Sequence, residues 1–321
     1  MNILVTGAAG FIGCHTAEYL LQKGHTVFGL DNVNNYYDVK LKEYRINLLR
    51  NFNNFTFYQL DISDTSSLNK FFATYKIDII YNLAAQAGVR YSIENPFVYY
   101  NTNITGLLNL LEMCRAYKIN NFVQASTSSI YAGSPLPYTE DIKADAPLSP
   151  YAASKKGGEL LCYTYYHLYN ISVCILRYFT VYGPAGRPDM SIFRFIESIK
   201  RGEDIIVTGD GSQERDFTYI DDIVRGTVKA MELTGFNIIN LGNNKPSELN
   251  RLIKLIENKL NKKAQIIYKP FHKADMLKTW ANTDRAKTLL NWTSQVNLED
   301  GIDKTIRWHI QEEDFLKHIN Y

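Results

Sequence analysis

Tyr151 and Lys155 stand four residues apart in Tyr151-Ala152-Ala153-Ser154-Lys155. On a helix this spacing sets a phenol and an ammonium on one face. A neighbouring ammonium lowers a phenol pKa from about 10, which makes the phenol a general base usable near neutral pH. Such a pair taken alone is most often a solvated helix face. Here a hydroxyl cluster, Ser126-Thr127-Ser128-Ser129, lies just beyond the apolar run Phe122-Val123-Gln124-Ala125. Open α/β sheets bind ligands at strand C-termini, and hydroxyls there can orient a substrate alcohol for proton loss. Thr127, Ser128, Tyr151 and Lys155 are therefore the candidate catalytic residues.

A second signal lies at the start of the chain. Gly7-Ala8-Ala9-Gly10-Phe11-Ile12-Gly13 follows the apolar run Ile3-Leu4-Val5 and opens a helix-length segment. Glycines in a strand-to-helix turn let the backbone approach a pyrophosphate, whose charge sits on the helix N-terminus. Asp31 closes the next strand, where a carboxylate can accept both ribose hydroxyls of an adenosine and would repel a 2′-phosphate. NAD is thus expected over NADP, and its oxidised ring would lower the Tyr151 pKa further. Asp61, at the end of the third strand, suits either the adenine amino group or a helix cap.

These residues need a frame that brings strand ends together. Strands are expected at residues 3–5, 26–30, 55–60, 77–83, 121–125 and 172–178. Helices are expected at 11–23, about 66–75, between 96 and 117, and from Pro150 with Ser149 as N-cap. The alternation predicts an α/β fold: a Rossmann-type, doubly wound parallel sheet with a smaller α/β substrate-binding domain. The dinucleotide-binding part is expected to take residues 1–178 and to receive about 217–245; the smaller part takes 179–216 and 246–321. Within 179–321 we expect a helix at 191–201, a strand at 205–208, a helical stretch at 218–233, and two helices around a strand at 264–268.

Composition is ordinary for a globular protein. Of the 321 residues 45% are hydrophobic, and the formal net charge is only +2, which argues against a nucleic-acid coat. No apolar run reaches membrane-spanning length. The four cysteines are dispersed and the histidines unclustered, so no metal site is expected. The sequence opens directly on a strand, and a cytoplasmic location is expected.

Together the glycine turn, the hydroxyl cluster and the Tyr151/Lys155 pair resemble the extended short-chain dehydrogenase/reductases, in their nucleotide-sugar epimerase/dehydratase branch. The resemblance extends through Asn82 to Arg90, Asn103-Ile104-Thr105-Gly106, Arg177 to Pro184 and Arg215 to Asp222. Asp31-Asn32-Val33-Asn34-Asn35-Tyr36-Tyr37-Asp38 resembles UDP-glucuronate 4-epimerases more narrowly. So do Gly186 to Met190 and the stretch from Ala274-Asp275-Met276 to Thr279-Trp280-Ala281. Departures are Ala185 in place of a frequent Trp, the Gly209 to Gln213 segment, and Asn282 in place of a frequent Asp.

The resemblance implies cofactor contacts from Phe11, Ile12, Asn32, Ile62, Leu83, Ala84, Ala85 and Tyr178, beside Gly7, Gly10, Gly13, Asp31, Asp61, Tyr151 and Lys155. It implies UDP-sugar contacts from Gln86, Arg90, Ser128, Ser129, Thr180, Arg187, Arg215 and Asp275. The implied reaction is oxidation of the sugar at C4, rotation of the 4-keto intermediate, and hydride return to its other face. A 4-keto uronic acid readily loses CO₂ unless its carboxylate is held unproductively. Resembling decarboxylases carry Glu at the position of Ser129, so an epimerase is expected. The alternatives are a UDP-glucuronate decarboxylase and a 4-epimerase of neutral or N-acetylated UDP-hexoses. Gly157-Gly158 costs the Tyr151 helix roughly 2 kcal/mol against alanine, which close helix packing can offset. The resemblance implies a homodimer through this helix and that near residues 97–117.

Overall fold

The computed structural model describes residues 1–271 and 275–320. Ala274, part of one resembling stretch, lies outside the described residues. Seven parallel strands form the main sheet: β1 (Asn2–Thr6), β2 (Thr26–Asp31), β3 (Phe55–Gln59), β4 (Ile79–Asn82), β5 (Asn121–Thr127), β6 (Ser172–Tyr178) and β7 (Phe236–Leu241). Their order is β7-β6-β5-β4-β1-β2-β3. The chain reverses direction across the sheet between β1 and β4, which opens a crevice beyond their C-terminal ends.

Strand alternation feeds two cores. Ile3 and Val5 of β1 pack on one face with Leu176 and Ile239; Leu4 packs on the other with Ile80, Phe122 and Val173. The first face is covered by α1 (Phe11–Gln22), the second by helices that include α3 (Leu107–Tyr117) and α4 (Pro150–Tyr169). The α4 start follows the expected chemistry: Ser149 Oγ accepts the Ala152 N–H at 3.1 Å, and Pro150 takes a position that needs no donor. A third apolar cluster gathers Ile192, Ile196, Ile205, Val207, Leu252, Ile256 and Ile306. It sits among helices Ser191–Arg201, Leu249–Leu260 and Leu298–Gln311 and the parallel strand pair Asp204–Thr208 and Gln265–Lys269.

Several features differ from the sequence expectation. Helix α2 (Val39–Arg50) and strand β7 have no counterpart in it. The stretch from Thr218 begins as a short strand, Phe217–Tyr219, before helix α5 (Ile220–Lys229). The C-terminal part has further helices at Asp284–Leu290 and Glu313–Leu316. The expected helix between 96 and 117 is continuous but carries a π-helical turn at Asn101–Gly106.

The glycines of α4 face this π turn within the same chain. A Cβ on Gly158 would lie 2.9 Å from the Leu107 side chain, and one on Gly157 would lie 3.1 Å from that of Ile104. Their close approach therefore serves packing inside the subunit.

Candidate active site

The glycine turn is fixed by backbone sterics. Gly7 has φ of +70°, and a Cβ there would press on the Ala84 backbone nitrogen at 2.7 Å. A Cβ on Gly13 would stand 2.0 Å from the Gly7 carbonyl oxygen. The turn is also tied to Asp31: the Ala9 N–H donates to Oδ2 at 3.1 Å and the Val33 N–H to Oδ1 at 2.8 Å. Burial pushes the Asp31 carboxyl up, while the Lys42 ammonium and these N–H donors act against it. Asp61 accepts from the Asn32 amide at 2.7 Å and from the Ser63 N–H at 2.8 Å. The cap of the following helix is Asp64, whose Oδ1 accepts from the Ser67 N–H. Asp61 thus closes a local turn instead of capping that helix.

Across β1, β4 and β5 the strand ends are joined by buried hydrogen bonds. Thr6 Oγ1 donates to Asn82 Oδ1 at 2.6 Å, and Asn82 Nδ2 donates to Gln124 Oε1 at 2.8 Å. Asn103, in the π turn, bonds both the N–H and the carbonyl of Gln86, and donates to Ser154 Oγ at 2.9 Å. Ser154 Oγ in turn reaches the Tyr151 carbonyl at 2.8 Å. The π turn thereby fixes the loop after β4 against the helix that carries Tyr151, a frequent use of such bulges.

At the end of β5 the hydroxyls divide. Ser126 is taken up by Glu159, at 2.6 Å, and Glu159 forms a bidentate buried ion pair with Arg177 at 2.9 and 2.7 Å. Thr127 Oγ1 donates to Ser129 Oγ at 3.1 Å and lies beside the Tyr151 phenol. Burial pushes the Tyr151 pKa up; the Thr127 hydroxyl and the positive charge of Arg187 work the other way. Among the protein's own groups burial prevails and the phenol is raised, whereas the Tyr151/Lys155 spacing suggested a depressed value. Lys155 is itself buried, which drives its ammonium down to about 8 despite the opposing pull of Cys162 and Glu159.

One cavity of about 770 Å³ collects these groups. Every residue singled out from the sequence lines it, from the glycine turn and Asp31 through Tyr151 and Lys155 to Thr180, Arg187 and Arg215. The cationic residues differ in commitment. Arg90 donates to Asp275 at 3.3 and 2.5 Å and to Thr208 Oγ1 at 2.9 Å, bridging the loop after β4 to the C-terminal part. Arg187 pairs with Asp189 at 3.0 and 2.5 Å, and against the upward push of burial it holds that carboxyl down. Arg215 donates to the carbonyls of Glu214 and Leu277.

Sequence reasoning missed Lys42 and Arg194, which also line the cavity. Lys42 lies on α2, buried, with Nζ 2.9 Å from Asn34 Oδ1 and 4.9 Å from the centre of the Tyr37 ring. Its available signal was a cation in register with the buried stripe Leu41, Arg45, Ile46 and Leu49. Among the described residues no cluster of three or more His, Cys, Asp or Glu could hold a metal ion, and no helix is long and apolar enough to cross a membrane.

The sequence profile of the NAD dependent epimerase/dehydratase family matches residues 3–242. The chain belongs to this family. Among its epimerase relatives, the UDP-glucuronate 4-epimerase of Thermodesulfobacterium geofontis is 53% identical over 317 residues, covering 98% of both chains. A UDP-glucuronic acid 4-epimerase from Bacillus cereus, solved with UDP-glucuronic acid and NAD, superposes with a TM-score of 0.90 at 38% identity, covering 97% of this chain and 99% of that one. A UDP-glucose 4-epimerase from Thermotoga maritima, solved with UDP-glucose, superposes at 0.88 with 32% identity, covering 98% and 100%. The site fits the family's dinucleotide. The glycine turn leaves no room for side chains, the N-terminus of α1 faces the cavity, and the same cavity reaches Asp31 and Tyr151.

Proposed function

We propose that this epimerase converts UDP-glucuronic acid and UDP-galacturonic acid into one another with NAD. The observation that carries the reading is the Tyr151 phenol, beside Thr127 in the same cavity as the glycine turn, with a hydroxyl cluster in which Ser129 brings no carboxylate. The 53% identical relative, a UDP-glucuronate 4-epimerase, supports the choice of sugar.

NAD would be held by the glycine turn, Asp31 and Asp61, and when bound it supplies the acceptor and donor of the C4 hydride. Tyr151 takes the proton from the C4 hydroxyl and returns it when the alcohol re-forms. Thr127 holds the phenol and that oxygen in line, and the buried Lys155 ammonium stabilises the phenolate. Arg187 and Arg215 hold the diphosphate as planar donors, so the hexose can turn while its anchor stays fixed. Ser128, Ser129 and Thr180 offer short neutral donors that keep the carboxylate in the plane of the C4 carbonyl, where loss of CO₂ is unfavourable.

The division into residues 1–178 with 217–245 as the NAD-binding part, and 179–216 with 246–321 as the sugar part, belongs to this proposal. So does a homodimer: Phe97, Tyr100 and Leu108 on one helix run and Leu160 and Tyr163 on α4 are exposed, with Phe97 at 84%. The deciding experiment is incubation with UDP-glucuronic acid followed by NMR. A mixture of the two uronates without pentose is expected. UDP-xylose or a 4-keto pentose would make the protein a decarboxylase.

A further inference from the structure

Arg45 is fully buried on α2 and, among the described residues, no carboxylate is hydrogen-bonded to it. Its donors go to neutral oxygens on three loops. Nε and Nη2 reach the Ala185 carbonyl at 3.0 and 2.9 Å, and Nη2 also reaches the Gly186 carbonyl at 2.9 Å. Nη1 reaches the Ala9 carbonyl at 3.0 Å and the Tyr37 hydroxyl at 2.6 Å. Ala9 belongs to the glycine turn; Ala185 and Gly186 lead directly into Arg187.

The loop needs such a hold. Ala185 has φ of +51°, a left-handed conformation that a residue with a Cβ adopts only where its surroundings impose it. The Arg45 fork grips the carbonyl of that residue, and His15 Nε2 lies 3.1 Å from the preceding Pro184 carbonyl. Two residues beyond Ala185, Arg187 lines the cavity and is aligned by Asp189. A burial this deep for an unpaired cation is costly. It is retained where the planar fork joins two pieces of backbone that no ammonium could span in the same geometry.

We infer that Arg45 is a positioning residue that bolts the Arg187 loop onto the glycine turn, so that the grip on the substrate diphosphate is built on the nucleotide cradle. The inference rests on the proposed role of Arg187 in holding the diphosphate. UDP is the probe. Its affinity is measured by titration calorimetry on NAD-loaded wild type, Arg45→Lys, Arg187→Ala and the double variant, with NAD content matched after extraction.

Arg45→Lys is expected to weaken UDP about tenfold, the scale of removing one charge-assisted hydrogen bond. The double variant is expected to bind no more weakly than Arg187→Ala, because Arg45 acts through Arg187. Full UDP affinity in Arg45→Lys, or losses that add in the double variant, overturns the inference and leaves Arg187 in its role. Unchanged affinity in Arg187→Ala instead overturns the reading of Arg187, and with it this inference. If Arg45→Lys does not fold, Tyr37→Phe, which deletes one of Arg45's acceptors, runs the same cycle, and full UDP affinity there is the refuting result.

Discussion

Lys155 carries the sharpest quantitative consequence of this site. Its ammonium is buried, 4% exposed, and its pKa falls from 10.5 to about 8. At about 1.36 kcal/mol per pH unit, charging this group inside the fold costs about 3 kcal/mol relative to the unfolded chain. The folded value lies below the unfolded one, so between about pH 8 and 10.5 the unfolded chain binds more protons and wild-type stability rises with pH. Below about pH 8 the full cost is present; above about 10.5 it is gone.

Lys155→Met keeps the length of the side chain and removes the charge. With an unfolding entropy near 2.1 cal/mol/K per residue, a chain of this length carries about 0.7 kcal/mol per degree, so the variant's Tm should exceed wild type by about 4 °C at neutral pH. The assay is thermal unfolding followed by near-UV circular dichroism, on both proteins stripped of dinucleotide so that no ligand contributes. The Tm advantage is expected at about pH 7 and should shrink through about pH 10, while turnover is lost throughout. A variant melting below wild type at neutral pH, or an advantage that does not change with pH, would refute the desolvation argument.

Three further outcomes are expected. Tyr151→Phe should retain NAD and its Tm yet lose about a thousandfold in kcat, within the range of lost acid–base catalysis, read by NMR of the UDP-uronates; near-wild-type kcat would remove the phenol from the mechanism. Ser129→Glu should raise the ratio of decarboxylated to epimerised product, and an unchanged ratio in a variant still turning over would exclude the hydroxyl cluster from control of CO₂ retention. Light scattering at micromolar concentration should give twice the subunit mass for wild type and the single subunit mass for Phe97→Asp/Leu160→Asp, whereas a monomeric wild type would refute the dimer.

The parts of the site written locally were legible. A glycine turn is dictated by φ of +70° at Gly7 and by the closeness of Gly13 to the Gly7 carbonyl, and both leave a spacing in the sequence. Ser149-Pro150 announces the helix that carries Tyr151. What stayed hidden depends on distant partners. β7 contains Asn240, a residue that weakens any strand reading, yet it is fully buried because Tyr131, Tyr138 and Asn282 satisfy its side chain across the fold. In α2 the cations Lys42 and Arg45 lie on the buried face, so the stripe that marks an amphipathic helix is broken at the residues that matter most to the cavity. The sequence placed Ser126 in the hydroxyl cluster, and only the structure shows that its hydroxyl is taken up by Glu159, behind the site.

Buried cations in this protein fall into two kinds, and their partners tell them apart. Arg177 is matched by Glu159 in a bidentate pair behind the hydroxyl cluster. Removing either member would leave a buried charge uncompensated, so this pair acts as a fixed part of the frame. Lys42, Arg45 and Lys155 are buried without a hydrogen-bonded carboxylate among the described residues. They surround or underlie the cavity, and burial lowers the pKa of both lysines against the opposing charges of Asp31 on Lys42 and of Cys162 and Glu159 on Lys155. Asp31 and Glu159 supply part of the counter-charge from within the fold, and in the proposed reading the diphosphate of the substrate would supply more. The same residue types at other positions would be ordinary surface charges.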